Sequence, residues 1–267
     1  MELKGKKVLL TGATGGIGRH IALMLAKKGA ELALVCYSSE KLKILTAELD
    51  QLGAKSIEIV ANLEHPHAAQ GVVDAALQRM DNIDILINNA GIMDFILFED
   101  QSPERIAQMI QINVTTPIQL TRLLMPHLIA RNSGTIVNIG SIFGSIGFPH
   151  YATYCASKFA MRGFSQSLRR ELTESNIQVT YIAPRAVKTP LNDEATTRML
   201  HDGKINMDEP DFVASEIIKA IEQEKDEKYI GQPESFFAWL NSFAPTLVNS
   251  GLKQQSSFAR PYASRQK

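Results

Sequence analysis

Six short apolar runs rich in β-branched residues punctuate this chain: KVLLTG, ELALVC, SIEIVAN, IDILINNAG, GTIVNIGS and IQVTYIAP, and KYIG offers a seventh. Longer stretches with helical periodicity separate them, such as GRHIALMLAKKG and IAQMIQINVTTPIQLTRLLMPHL. Runs that are continuously apolar, rather than alternating apolar and polar, indicate strands buried on both faces. Strand–helix alternation of this kind predicts an α/β fold, an open doubly wound parallel sheet of about seven strands with helices on both faces. The 267 residues suit one large domain of this class, and the 45% hydrophobic content suits a well-formed core. We divide the chain into one domain over 1–253, including an amphipathic segment at 234–252, and a flexible basic tail at 254–267.

Composition excludes some partners. Lysine and arginine balance aspartate and glutamate at 28 each, so no global field draws in nucleic acid. No apolar run reaches the length of a bilayer span. The chain passes at once from MELKGKKVLLTG into a strand, which leaves no room for a signal peptide and predicts a cytoplasmic protein. Cys36 and Cys155, the two cysteines, suit a reducing compartment. Cys155 reads as a small buried hydrophobe or as a reactive thiol beside Lys158.

In a doubly wound sheet the ligand crevice lies outside the carboxyl ends of the strands. After the first strand comes TGATGGIG, Thr11 to Gly18. Gly12, Gly16 and Gly18 permit a tight turn and the close approach of a pyrophosphate to the backbone. The helix that follows adds unpaired N–H groups and positive dipole character. A second cluster, YCASK, places Tyr154 and Lys158 four residues apart, on one helical face. A phenol ordinarily ionises near pH 10, and a neighbouring ammonium favours the phenolate. Such a pair is either a solvated surface contact or a tuned general acid.

TGATGGIG, NNAG at 88–91, Asn113, Ser141 and YCASK stand in the order of the short-chain dehydrogenase/reductase family, which the chain resembles over about residues 5 to 190. The resemblance implies a Rossmann fold, an NAD(P)-dependent oxidoreductase, and a homodimer or homotetramer. It implies a catalytic set of Asn113, Ser141, Tyr154 and Lys158. Tyr154 exchanges the proton, Lys158 lowers its pKa and bonds the nicotinamide ribose, and Ser141 bonds the substrate oxygen. Asn113 helps hold a water-linked relay. The implied cofactor contacts are Gly12, Thr14, Gly15, Gly16, Ile17 and Gly18 in the turn, then Tyr37, Ser38, Asn62 and Leu63. Asn89, Ala90, Gly91, Tyr154, Lys158, Pro184, Val187 and Thr189 complete them. A binding-only sensor or scaffold that keeps the cofactor pocket is the alternative.

Several positions depart from the family pattern. Cys36 and Tyr37 fill the places where the family carries its cofactor-selecting Asp or Arg. With no carboxylate there to repel a 2′-phosphate, and Ser38, Ser39, Lys41 and Arg19 nearby to meet one, we expect NADP(H) over NAD(H). Asn62 stands where the family more often has aspartate. Arg185 replaces the glycine of the family's Pro-Gly. It has two readings, a contact to an anionic substrate group or a side chain pointing outward.

The segments GIMDFILF and SIFGSIGFPH should wall the substrate side, and their apolar residues imply a hydrophobic carbonyl or alcohol, lipid-like or acyl-like. Tyr151 reads as packing or pocket wall, and the polar stretch 192–210 as a lid. Phe236, Leu240, Phe243 and Leu247 recur at helical spacing, with Pro245 as an interruption. That segment docks over the pocket or a neighbouring subunit, or it lies on a membrane with its basic end. His65 and His67 lack a third ligand, so no metal is expected.

Overall fold

The computed structural model describes residues 1–263. Seven parallel strands form one sheet in the order β3-β2-β1-β4-β5-β6-β7. They are β1 (Lys7–Thr11), β2 (Glu31–Cys36), β3 (Ser56–Val60), β4 (Ile85–Asn88), β5 (Gly134–Ile139), β6 (Ile177–Pro184) and β7 (Glu227–Ile230). All seven expected runs are strands, and the expected doubly wound, Rossmann-type sheet is the observed one.

The helices follow in chain order. They are α1 (Gly16–Lys27), α2 (Ser39–Gln51), α3 (Ala68–Met80), α4 (Pro103–Ile110), α5 (Thr116–Arg131) and α6 (Ala152–Glu171). After these come α7 (Glu194–Asp202), α8 (Pro210–Glu222), α9 (Glu234–Phe243) and α10 (Pro245–Ala263).

Successive side chains of a strand point to opposite faces, and the core divides accordingly. Val8 and Leu10 of β1, with Leu32 and Leu34 of β2, pack under Ile21 and Leu25 of α1 and Ile217 and Ile221 of α8. Leu9, Ala33 and Val35 face the other way, against Val72 and Ala76 of α3 and Leu120 and Leu124 of α5. Both faces are covered, so every residue of the central strands has to be apolar or internally bonded. This is why the runs read as continuous.

The chain winds outward from β1 to β3, then returns through α3 to place β4 beside β1. The strand order reverses there, and the crevice opens at the carboxyl ends of β1 and β4.

Two expectations are corrected. The long periodic run 106–128 is not one regular helix, because a wide π-type turn at Gln111–Thr115 separates α4 from α5. Such an insertion rotates the following face and is common beside functional sites. Nor are residues 254–263 a flexible tail: they continue α10, and Ala259 and Ala263 are buried with Met199 and Leu200. Arg265 and Lys267 lie outside the described residues. Pro245 does interrupt the helical run, standing at the first position of α10, where a missing N–H is harmless.

Leu34 is fully buried in β2, packed between helices that cannot close around a void. Leu34→Ala should therefore lower unfolding free energy by about 3 kcal/mol, read from urea denaturation. A loss under about 1 kcal/mol would show that this core relaxes more freely than its packing implies.

Candidate active site

The glycine turn is built by contacts that exclude side chains. Gly12 has φ +62°, and a Cβ there would lie 2.9 Å from the Ala90 Cα. A Cβ on Gly18 would lie 2.1 Å from the Gly12 carbonyl oxygen. Asn89 fixes the turn from β4: its Nδ2 donates to the carbonyls of Thr11 and Gly12, both at 3.1 Å. Thr11 Oγ1 accepts from the backbone N–H groups of Asn89 (3.0 Å) and Ala90 (3.1 Å). Gly15 caps α1 without any side-chain hydrogen bond, so the first amides of the helix remain directed at the crevice. Thr189 lies against Gly16, where a Cβ would approach the Thr189 Cγ2 within 2.5 Å. This cradle of glycine backbone and helix N-terminus fits a dinucleotide pyrophosphate.

At the end of β2 the residues are arranged differently from the sequence expectation. Cys36 is buried, its Sγ 2.8 Å from Thr14 Oγ1, while Tyr37 is 69% exposed. Arg19 is held in an ion pair with Glu48, and Ser38 Oγ caps α2 by accepting from the Lys41 N–H at 3.3 Å. Of the four groups expected to meet a 2′-phosphate, Ser39 and Lys41 stand exposed at the start of α2. Asn62 is exposed, its Oδ1 accepting from the Glu64 N–H, and Leu63 is buried with its carbonyl bound by Thr116 Oγ1.

On the substrate side, Ser141 follows β5 and opens a short 3₁₀ turn, Ile142–Gly144, accepting from the Phe143 N–H at 3.1 Å. Tyr154 and Lys158 lie on the first turns of α6, both buried. Lys158 Nζ sits 5.5 Å from the centre of the Tyr154 ring and donates to the Ile139 carbonyl at 3.0 Å. Asn113, placed by the wide turn after α4, exchanges hydrogen bonds with both backbone groups of Ile92 at 2.9 Å. Its Nδ2 also donates to Ser157 Oγ at 3.1 Å, tying the β4 loop to α6. Gly91 lies between Asn113 and Lys158, within contact range of both.

Burial raises the Tyr154 pKa above the ordinary phenol value, with the Ser141 hydrogen bond opposing only in part. Burial also pulls the Lys158 ammonium down to about 8. No carboxylate pairs with Lys158, and desolvation penalises the charged form of each partner. The Tyr154 phenol is therefore un-ionised at neutral pH.

A cavity of about 580 Å³ joins these groups, running from Asn89 and Gly91 past Ser141, Tyr154 and Lys158 to Phe237, Leu240 and Leu247. Met93, Ile142, Phe143, Ile146 and Phe148 line it, as expected of the two apolar segments. Phe95 is instead buried behind them, stacked on Tyr151 at 5.0 Å, and Phe98 is 62% exposed. Tyr151 is both packing and wall. Pro184, Val187 and Thr189 border the same cavity. Among the described residues, no group of three His, Cys, Asp or Glu side chains is placed to hold a metal.

Sequence reasoning missed Tyr181. Its ring fills the space over Gly140 and Gly144, and its hydroxyl donates to the Ser141 carbonyl at 3.2 Å. The signal was present as a bulky phenol inside a β-branched strand, with two glycines flanking Ser141 to admit it.

A family model described as short chain dehydrogenase matches residues 6–200. The chain belongs to that family. It is an oxidoreductase similar to "Uncharacterized oxidoreductase YxnA" of Bacillus subtilis (strain 168), 31% identical over 254 residues that cover 93% of this chain and 71% of that one. It is also similar to "3-oxoacyl-[acyl-carrier-protein] reductase FabG" of Thermotoga maritima, 33% identical over 194 residues, 73% of this chain and 79% of that one. A short chain dehydrogenase/reductase from Burkholderia phymatum, solved in complex with NAD, shares the fold. Its TM-score is 0.84 at 22% identity, over 92% of this chain and 96% of that one.

The buried lysine of this dehydrogenase gives a pH signature. Its ordinary value is 10.5 and its folded value about 8, so above pH 8 the unfolded chain holds a proton that the folded chain has lost. Stability should rise as pH climbs from about 8 towards 9. Above pH 9 the Cys155 thiol, pushed up to about 11 by burial, begins to oppose it. Urea midpoints at closely spaced pH values should show the rise in the wild type and lose it in Lys158→Met. A flat or falling wild-type profile would contradict the desolvation account.

Proposed function

We propose that this oxidoreductase is an NADP(H)-dependent carbonyl reductase and alcohol dehydrogenase acting on a hydrophobic, acyl-like small molecule. The observation that carries the proposal is the position of Tyr154 and Ser141 in a cavity walled at one end by Phe143, Ile146, Phe148, Phe237 and Leu240 and reaching Ile17 and Asn89 beside the glycine turn at the other. A bound nicotinamide would supply or accept the hydride. Gly12, Thr14, Gly15, Gly16, Ile17 and Gly18 would hold its pyrophosphate half, with Asn89, Ala90, Gly91, Pro184, Val187 and Thr189 around the remainder. Tyr37, Ser38, Asn62 and Leu63 would border the adenosine end. The absence of a carboxylate at Cys36 and Tyr37 supports NADP(H), although Arg19 is committed to Glu48.

In reduction, the Tyr154 hydroxyl donates its proton to the carbonyl oxygen as negative charge develops there, and Ser141 Oγ hydrogen-bonds the same oxygen. In oxidation, Tyr154 takes the proton back. Lys158 holds its charge near Tyr154 and bonds the cofactor ribose, and Asn113 keeps the α4–α5 turn and α6 in register around them. The name of the Thermotoga maritima relative, a 3-oxoacyl reductase, agrees with an acyl chain lying along Phe143, Phe148 and Leu240. A homodimer or homotetramer is the proposed assembly.

We also propose that α9 rests on a lipid surface. Phe236, Trp239, Phe243 and Leu247 are each more than half exposed, and no charged side chain occurs from Ser235 to Leu252. Exposed apolar patches of this kind mark interaction sites. The patch is continuous with the cavity through Phe237, which is 47% exposed and also lines the cavity. A substrate dissolved in lipid would therefore meet the entrance directly. Among the described residues no helix is long and apolar enough to cross a membrane, so the contact would be peripheral.

A panel of ketones, 3-oxoacyl thioesters and alcohols, assayed by nicotinamide absorbance with both cofactors, tests the chemistry. We expect turnover of long-chain carbonyls with NADPH, and Tyr154→Phe should reduce kcat at least about a hundredfold while cofactor binding persists. Cofactor binding without turnover across the panel would mean a sensor or scaffold instead.

Flotation with phosphatidylcholine vesicles, with and without phosphatidylserine, tests the surface. The wild type should float and the Phe236→Ser/Phe243→Ser protein should not, with salt weakening the binding only in part. No flotation at low salt would exclude the lipid reading. Loss of self-association in that variant would assign the patch to a second copy of the chain.

A further inference from the structure

Arg185 has neither of the roles its sequence position suggested. It follows β6 directly, and its guanidinium grips Asp208 with two bonds, Nε to Oδ2 at 3.0 Å and Nη2 to Oδ1 at 2.7 Å. Its Nη1 donates to Glu234 Oε2 at 2.9 Å and to the Gln232 carbonyl at 2.7 Å. The Asp208 and Arg185 side chains are 8% and 14% exposed, so water competes weakly for these bonds. Gly231 makes room for the arm: it has φ +96°, and a Cβ there would lie 2.4 Å from Arg185 Cδ.

The two carboxylates belong to different parts of the cavity wall. Asp208 closes the segment that carries α7. Its N–H donates to the Ala186 carbonyl at 2.9 Å, and its own carbonyl accepts from the Lys188 N–H at 3.0 Å. That segment supplies Thr196, Met199 and Leu200 to the cavity. Glu234 is the first residue of α9, whose Phe237 and Leu240 wall the far end. A second anchor fixes α9 four residues beyond Phe237, where Asn241 Nδ2 donates to the Ser145 carbonyl at 3.0 Å. One cation at the end of β6 thus bonds both of these cavity walls.

We propose that Arg185 is a positioning residue that sets how tightly the enzyme grips the remote part of a long substrate, by holding α7 and α9 together against the end of β6. The proposal rests on the apolar-substrate reading above. The bidentate geometry needs the planar guanidinium, because a lysine at 185 is a single point charge and can serve only one carboxylate well. Removing the cation leaves two carboxylates close together with no positive charge between them, Glu234 keeping the 3.5 Å bond from Asn206 Nδ2, so both walls are pushed apart. Neutralising Glu234 alone leaves the Asp208 pair intact.

The test compares Arg185→Ala, Arg185→Lys and Glu234→Gln with the wild type, using a short and a long carbonyl of the same class. Arg185→Ala should raise KM for the long substrate about tenfold, and raise it less for the short one. Arg185→Lys should recover part of the difference, and Glu234→Gln should fall between them. Hydrogen exchange in the substrate-free proteins gives a readout that does not depend on knowing the substrate. In Arg185→Ala the amides of Glu194–Asp202 and Glu234–Phe243 should exchange faster, while β1 and β4 stay as in the wild type. If Arg185→Ala does not fold, the Lys and Gln variants carry the same ordering.

An unchanged ratio of long-substrate to short-substrate KM, or unchanged exchange in α7 and α9, would overturn the proposal. A uniform fall on both substrates with faster exchange throughout the sheet would also overturn it, since that describes a purely structural residue. If the wild type turns over no carbonyl, the proposed function fails and the exchange pattern alone decides whether Arg185 holds the two walls.

Discussion

A Cβ on Gly12 would come within 2.9 Å of Ala90, and one on Gly18 within 2.1 Å of the Gly12 carbonyl, so the ends of β1 and β4 meet more closely than side chains allow. Asn89 and Thr11 close this contact with four hydrogen bonds. The approach is possible only where the strand order reverses, because everywhere else the strand ends diverge into helices on the same side. It fixes the position of α1, whose open amides form one wall of the crevice, relative to β4, whose following loop carries Gly91. Asn113 then bonds that loop to α6 through Ile92 and Ser157, and α6 carries Tyr154 and Lys158. Tyr154 and Lys158 are thus located by a relay of backbone and side-chain contacts that begins at the glycine turn.

Desolvation is the second constraint on the site. Lys158 has no carboxylate partner and spends one hydrogen bond on the Ile139 carbonyl, so burial alone governs its proton affinity. The same burial keeps Tyr154 protonated. An isolated ammonium at this depth is unfavourable to the fold. The apolar walls matter here as well, since fewer water molecules near the pair strengthen every charge–dipole interaction inside.

The sheet and the shared face of Tyr154 and Lys158 were legible because they depend on local patterns. Burial on both faces writes itself as continuous apolar runs such as KVLLT and ELALVC, and helical spacing puts Tyr154 and Lys158 on one face whatever the rest of the chain does. What was not legible depends on residues far apart in sequence. Arg19 seemed free for a phosphate until α2 brought Glu48 to it. Arg185 could not be read without Asp208 and Glu234, which are 23 and 49 positions away. The direction of the Tyr154 shift required the depth of burial, which spacing does not give. Residues 254–263 have few apolar side chains, so their helix is recognisable only from the docking of Ala259 and Ala263 against α7.

Tyr181 and α9 show how these long-range contacts converge on Ser141. The Ser141 turn is held from β6 by the Tyr181 hydroxyl, from β7 by Tyr229, whose hydroxyl lies 2.8 Å from Ser145 Oγ, and from α9 by Asn241. Gly140 and Gly144 have to be small for the Tyr181 ring to reach Ser141 at all. Three elements that arrive late in the chain therefore hold the turn that Ser141 opens. The outer face of α9 is apolar and exposed while its inner face bonds this turn. Whatever rests on Phe236, Trp239 and Phe243 therefore bears on the helix whose Asn241 bonds the Ser145 carbonyl.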